Sequence, residues 1–194
     1  IWPMIQRQTI ALRALFPDAE VEFHIGMRNP ATLIPALFAG SKFKDFAEFT
    51  DRMQPHAVTW SEMLQRLRMT HPDTPITVWC NEDTPLIWGE LMRRMAGIDL
   101  TRKIAGAFEL FSTIMDPEGM KRFRAFLQEH PNVTEAQKRR VMAAFLDKYA
   151  LDEAIEEELD IPGWDDAFVE ELTEIYEQDL KVIEQMPGVT FVTP

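Results

Sequence analysis

The chain has 194 residues, 46% of them hydrophobic, enough for a packed core and for one domain of ordinary size with a helical annex. Its formal net charge of −12 at pH 7 argues against nucleic acid or an anionic membrane as the main partner. No apolar run nears the roughly 20 residues of a membrane helix, and no charged-apolar-small signal peptide occurs. Cys80, the single cysteine, excludes an intrachain disulfide and a cysteine metal cluster and points to a cytoplasmic setting.

A helix is expected from near Pro3 to Leu15, with Ile5, Ile10, Leu12, Leu15 and Phe16 apolar at helical spacing and Pro17 as its stop. This pattern begins at once, and the first residue is Ile1 rather than Met, so a further N-terminal piece is expected upstream. Val21 to Met27 is a short apolar run that reads as the first strand. Asn29 then caps, and Pro30 opens, a short helix to Phe38. Lys44 to Met53 follows as another helix. Thr59-Trp-Ser-Glu62 has the spacing of a capping box and opens a helix through Leu67, broken by His71-Pro-Asp-Thr-Pro75.

Ile76 to Cys80 is the second strand, a continuous apolar run of the kind buried on both faces. Asn81 to Pro85 caps a helix with Ile87, Trp88, Leu91 and Met95 on one face and a stop at Gly97. Asp116-Pro117 opens a helix whose Met120, Phe123 and Leu127 turn inward. Thr134-Glu-Ala-Gln137 is a second capping box, leading to Val141, Phe145 and Tyr149. Trp164 reads as a packing anchor for the longest helix, which Asp165 starts and which aligns Phe168, Leu172, Ile175, Tyr176 and Ile183. Pro187-Gly188 ends it, and Val189 to Val192 has the pattern of a last strand. From Tyr149 to Thr193 there are fourteen acids and one base, Lys181, whereas the stretch before it is basic through Arg122, Arg124, Lys138, Arg139 and Arg140. The acidic tail is expected to neutralise that stretch within one molecule, or else to meet a partner or another copy of the chain.

Strands alternating with helices, followed by a helical carboxyl half, predict an α/β fold with a parallel sheet and covering helices. Two or three strands fall short of a stable sheet of that kind, and an upstream piece would supply the rest.

The best place for a ligand is the end of the first strand. Ligands of open α/β sheets bind at the carboxyl ends of strands, where helix N-termini present N–H groups and partial positive charge. Arg28 adds a forked donor suited to phosphate or sulfate oxygens. Arg28 also suits a salt bridge to Glu82 or Asp83, and Asn29 suits a plain helix cap. His24, between Phe23 and Ile25, reads as a core or sheet-face histidine. Asn81-Glu82-Asp83-Thr84 offers paired carboxylates for acid–base work, or caps for the next helix. His56, His71 and His130 lack metal-ligand spacing. Neither a phosphate-cradling Gly-x-x-x-x-Gly-Lys loop, a Gly-x-Gly-x-x-Gly turn nor a Gly-x-Ser-x-Gly elbow is present.

At Ile25-Gly-Met-Arg28-Asn29-Pro30 the sequence resembles the sulfotransferase superfamily, whose fold is of P-loop nucleotide-hydrolase type. Trp60 to Leu67, Thr77-Val-Trp-Cys-Asn-Glu82-Asp83 and Met95-Ala-Gly97-Ile are similar to that family's following helix, strand and helix end. Pro162-Gly163-Trp164 with the last helix and Pro187-Gly-Val-Thr-Phe resembles uncharacterised bacterial sulfotransferase-like proteins.

The resemblance implies a three-layer parallel sheet of P-loop type, incomplete here. Residues 1–100 would be the carboxyl-terminal part of that α/β domain, and 101–194 a helical extension packed on it. It implies 3′-phosphoadenosine 5′-phosphosulfate (PAPS) as co-substrate and Arg28, with Asn29, at the 3′-phosphate. A small-molecule hydroxyl or amine would be the acceptor, and no metal would take part. The catalytic base and sulfate loop would lie upstream, with Glu82 a second candidate for the base. The family has a serine eight residues after the arginine, but Ala36 stands there, and the Arg-Lys-Gly-x-x-Gly motif of cytosolic members is not found. Ala36 favours the alternative, a non-catalytic relative acting in binding or assembly. A nucleoside kinase-like P-loop enzyme fits less well, since its lid arginines have no counterpart.

Overall fold

A computed structural model describes residues 4–155, 161 and 163–194. Strands β1 (Phe23–Met27), β2 (Ile76–Cys80) and β3 (Val189–Val192) form a small parallel sheet in the order β1-β2-β3 within a mixed α/β fold. Helix α1 (Ile5–Ala14) precedes the sheet, and α2 (Pro30–Ala39), α3 (Phe46–Met53) and α4 (Trp60–Thr70) connect β1 to β2. Between β2 and β3 run α5 (Thr84–Met95), α6 (Glu109–Thr113), α7 (Pro117–Glu129), α8 (Glu135–Tyr149), α9 (Asp152–Ile155) and α10 (Asp166–Glu184). Among the described residues no helix is long and apolar enough to cross a membrane.

The chain divides into two compact units, Ile1–Trp79 with Leu159–Phe191, and Cys80–Glu158 with Val192–Pro194. The first holds nearly all of the sheet and a core of Ala31, Ile34, Phe49, Val58, Trp164 and Leu172, edged by the rings of Phe38, Phe43, Phe46 and Phe168. Trp164 is the anchor its sequence context predicts: its indole N–H donates to Ala31 O at 2.8 Å and its ring meets Phe46 and Phe168 edge-on. Gly26 of β1 lies where a Cβ would stand 3.2 Å from the Trp79 indole, so glycine lets neighbouring β2 lay that ring against the strand.

Within the first unit, the predicted apolar face of α1 is not the face that packs. Ile10, Leu12, Leu15 and Phe16 are exposed, and Ile1 to Pro3 lie outside the described residues. The helix is held instead through a polar row. Gln6 Nε2 donates to Thr70 Oγ1 at 3.0 Å, Thr9 meets His71 Nε2 at 3.0 Å, and Arg13 Nη1 donates to Thr74 Oγ1 at 3.0 Å.

The second unit packs Phe111, Met115, Met120, Phe123 and Met142 into a separate core. Asp116 caps α7 through Gly119 N at 2.5 Å. Gly119 is closely covered by Tyr149 of α8, and a Cβ there would collide with that side chain. Thr134 and Gln137 form the expected reciprocal capping box of α8. The expected box at Thr59 does not form: Thr59 makes no side-chain cap, and Glu62 pairs with Arg66 at 2.6 Å. Likewise Asp83 stands at the N-cap position of α5 without a side-chain cap bond, because a 3₁₀ turn over Asn81–Asp83 runs directly into the helix. The short helices α6 and α9 have too few residues to show a helical period in the sequence.

Candidate functional site

The site is built where β1 ends. Met27 is fully buried, Asn29 turns the chain at φ −52° and ψ 125°, and Pro30 begins α2. The Asn29 carboxamide oxygen accepts from Ala31 N at 2.9 Å, the cap its position predicts. Its amide nitrogen donates to Thr173 Oγ1 of α10 at 2.9 Å. One side chain thus closes the helix end and ties the turn to a helix 144 residues away in sequence.

Other donors claim the carbonyls of the same turn. Tyr176 OH donates to Met27 O at 3.0 Å, Trp60 Nε1 to Arg28 O at 2.9 Å and Trp164 Nε1 to Ala31 O at 2.8 Å. Three aromatic donors therefore fix the backbone on both sides of Arg28, at low conformational-entropy cost because rings have few rotamers. A further long-range contact supports Trp60: the Asp179 carboxylate accepts from Trp60 N at 2.6 Å and Ser61 N at 3.1 Å. Asp179 caps α4 in place of Thr59, and it is only 7% exposed. Thr173, Tyr176 and Asp179 share one face of α10 at three-residue spacing.

Arg28 is half-buried. Its Nε donates to Thr32 Oγ1 at 2.9 Å, and that hydroxyl donates in turn to Asn29 O at 3.2 Å. Thr32 therefore sets the direction of the guanidinium. The backbone N–H groups of α2 offer less than the expected reading assigns them. Pro30 has none, Ala31 N is taken by Asn29 Oδ1, and Thr32 N bonds Asn29 O at 3.0 Å. An oxyanion at this turn would meet the guanidinium, with the positive end of α2 behind it as a fixed field.

Ala36 is exposed on α2, one helical turn beyond Thr32. Arg28 and Asn29 are thus brought together on one turn, supported by residues the sequence reading did not single out for the site: Thr32, Trp60, Thr173 and Asp179. Asp179 carried a legible signal, being an acid on the otherwise apolar face of α10 between Tyr176 and Ile183.

The other candidates are dispersed. His24 is half-buried, with Nε2 3.4 Å from Glu22 Oε2, as a sheet-face histidine should be. In the second unit Glu82 is exposed and Asp83 half-buried. Burial first, and then the neighbouring Glu82 charge, push the Asp83 carboxyl above the ordinary carboxylate range. Compared with protein-family models, curated proteins and solved structures, the chain finds no significant match.

Proposed function

We propose that this chain is part of a sulfotransferase-like protein of P-loop type, in which Arg28 holds the 3′-phosphate of PAPS. The observation that carries the reading is the aimed guanidinium: a half-buried Arg28 at the carboxyl end of a parallel strand, oriented by Thr32 on a turn braced by Tyr176, Trp60 and Trp164. Held through Nε by Thr32, the guanidinium has part of its ordering in place before a phosphate arrives. Asn29 acts as a positioning residue, since its carboxamide is engaged by Ala31 N and Thr173.

In the reaction, an acceptor oxygen or nitrogen attacks the sulfur of PAPS. The bond from sulfur to the bridging phosphate oxygen breaks, the acceptor proton passes to a base, and 3′-phosphoadenosine 5′-phosphate departs. Arg28 contributes binding and orientation to this in-line displacement, the kind of transfer that charge stabilisation and positioning chiefly accelerate. One observation favours a non-catalytic relative that keeps the same turn: Ala36 offers a methyl where the family places a phosphate-binding hydroxyl.

Calorimetric titration of 3′-phosphoadenosine 5′-phosphate into the full-length protein separates the readings. Saturable binding that Arg28→Ala abolishes and Thr32→Val weakens several-fold supports the donor site. No heat from well-folded protein overturns it.

A further inference from the structure

We propose that the second unit carries a binding site for a small organic carboxylate with an apolar body, centred on Arg93. Arg93 lies in the last turn of α5 and is 5% exposed, an unusual degree of burial for a guanidinium. Its Nε donates to Arg102 O at 2.8 Å. The nearest carboxylate oxygen, Glu135 Oε1, stands 3.8 Å from Nη2, beyond hydrogen-bond reach, and that oxygen already receives Lys138 Nζ at 2.6 Å. The terminal nitrogens of Arg93 therefore meet no hydrogen-bond acceptor among the described residues. Arg93 thus keeps its terminal donors open to the solvent of the pocket, with only a distant, shared counter-charge, so an incoming anion can take them up.

Beside Arg93 the unit carries an open pocket of about 230 Å³. Lys103 and Lys138 line it with Arg93, and Phe108, Leu127 and Val133 supply apolar wall. Arg93, Lys103 and Lys138 line it without a carboxylate among them, and Glu135 beside it pairs with Lys138 and stands 3.8 Å from Arg93, so the lining keeps a net positive charge. The volume exceeds the roughly 150 Å³ in which a protein cavity holds benzene, so an aromatic ring or branched chain with a carboxylate head has room. A guanidinium fork matches the two oxygens of a carboxylate in plane. The apolar walls disfavour a heavily hydrated dianion such as phosphate, whose water would have to be stripped away. The ligand class is thus a monocarboxylate with a short aromatic or branched apolar body.

The test uses benzoate, its neutral analogue benzamide, and 3-methylbutanoate, titrated into the full chain and followed by calorimetry and protein NMR. Benzoate or 3-methylbutanoate is expected to bind saturably at one per chain, with contacts from the ligand protons to Phe108, Leu127 or Val133. Benzamide should bind at least tenfold more weakly, and Arg93→Gln should raise the benzoate dissociation constant at least tenfold. Arg122→Gln, an exposed cation outside the pocket, should leave it unchanged. Should Arg93→Gln not fold, Lys103→Glu, an exposed change at the pocket, must weaken benzoate several-fold. Absence of saturable carboxylate binding, equal binding of benzamide, or indifference to these pocket substitutions overturns the proposal.

Discussion

His71 shows how one buried polar side chain carries more than its local hydrogen bond. It is 4% exposed, stacks obliquely against Phe23 with ring centroids 5.4 Å apart, and meets Thr9 Oγ1 through Nε2 at 3.0 Å. The Thr9 hydroxyl spends its only proton on the carbonyls of Ile5 and Gln6, so His71 Nε2–H is the donor in that contact. Burial first, and the Arg13 charge second, hold the His71 pKa below its ordinary 6.5. The unfolded chain therefore takes up this proton at a higher pH than the folded one. Stability from His71 is fully present above about pH 6.5 and falls as pH drops from there towards the lowered folded value. We expect urea midpoints measured between pH 7.5 and 5 to decline over that window, and His71→Gln to flatten the decline. A His71→Gln profile as steep as that of the parent chain would contradict this.

At the scale of elements, α10 organises the first unit. It buries Leu172, Tyr176, Asp179 and Ile183 along one stripe, mixing apolar area with two polar tips that reach other elements. Asp179 replaces the absent Thr59 cap, combining two hydrogen bonds to backbone N–H groups with a favourable charge at the positive end of α4. Asp179→Ala is expected to destabilise the protein by about 2–4 kcal/mol, since two buried N–H groups then lose their acceptor. Asp179→Asn keeps an oxygen in place and should cost about 1–2 kcal/mol. Chemical denaturation gives both values, and amide exchange should accelerate first at Trp60 and Ser61 in the alanine variant. An alanine substitution costing under 0.5 kcal/mol would show that the cap contributes little.

For the whole molecule, the first unit is assembled from both ends of the chain. Tyr176 reaches Met27 across 149 residues, Trp164 reaches Ala31 across 133, and Asp179 reaches Trp60 across 119. Contacts so distant in sequence form late and reward closure of a long loop only when the partners arrive. A chain cut after residue 158 should therefore lose the cooperative unfolding of α2 and α4 and the slow amide exchange at Ala31 and Trp60. Retention of that protection would mean the first unit does not depend on α10.

Much of this architecture was legible locally. Asn29-Pro30, Asp116-Pro117, Thr134 with Gln137, and Asp165 each mark a helix start through side chain and backbone of neighbouring residues, and all four starts are found. The apolar runs that became β1, β2 and β3 likewise announce themselves by length and punctuation. Arg28 and Asn29 could be placed together because they adjoin in sequence. Where a local rule had a distant competitor, it failed. Thr59 has a capping residue's chemistry, yet Asp179 occupies that role with a stronger, charged acceptor. The apolar side of α1 matched a helical period, yet Gln6, Thr9 and Arg13 found partners around α4.

The amino-acid sequence by itself determined the longer elements, the caps at Asn29, Asp116, Thr134 and Asp165 and the cation at the end of β1, because those depend on interactions within a few residues. Only the tertiary structure decided that Thr32, Trp60 and α10 brace that cation, and that Arg93 lies buried beside a pocket with its terminal donors unfilled. Both outcomes depend on which side chains of separate elements meet, and such pairings, from 9 residues apart for Arg93 and Arg102 to 149 for Tyr176 and Met27, leave no periodic trace in the chain.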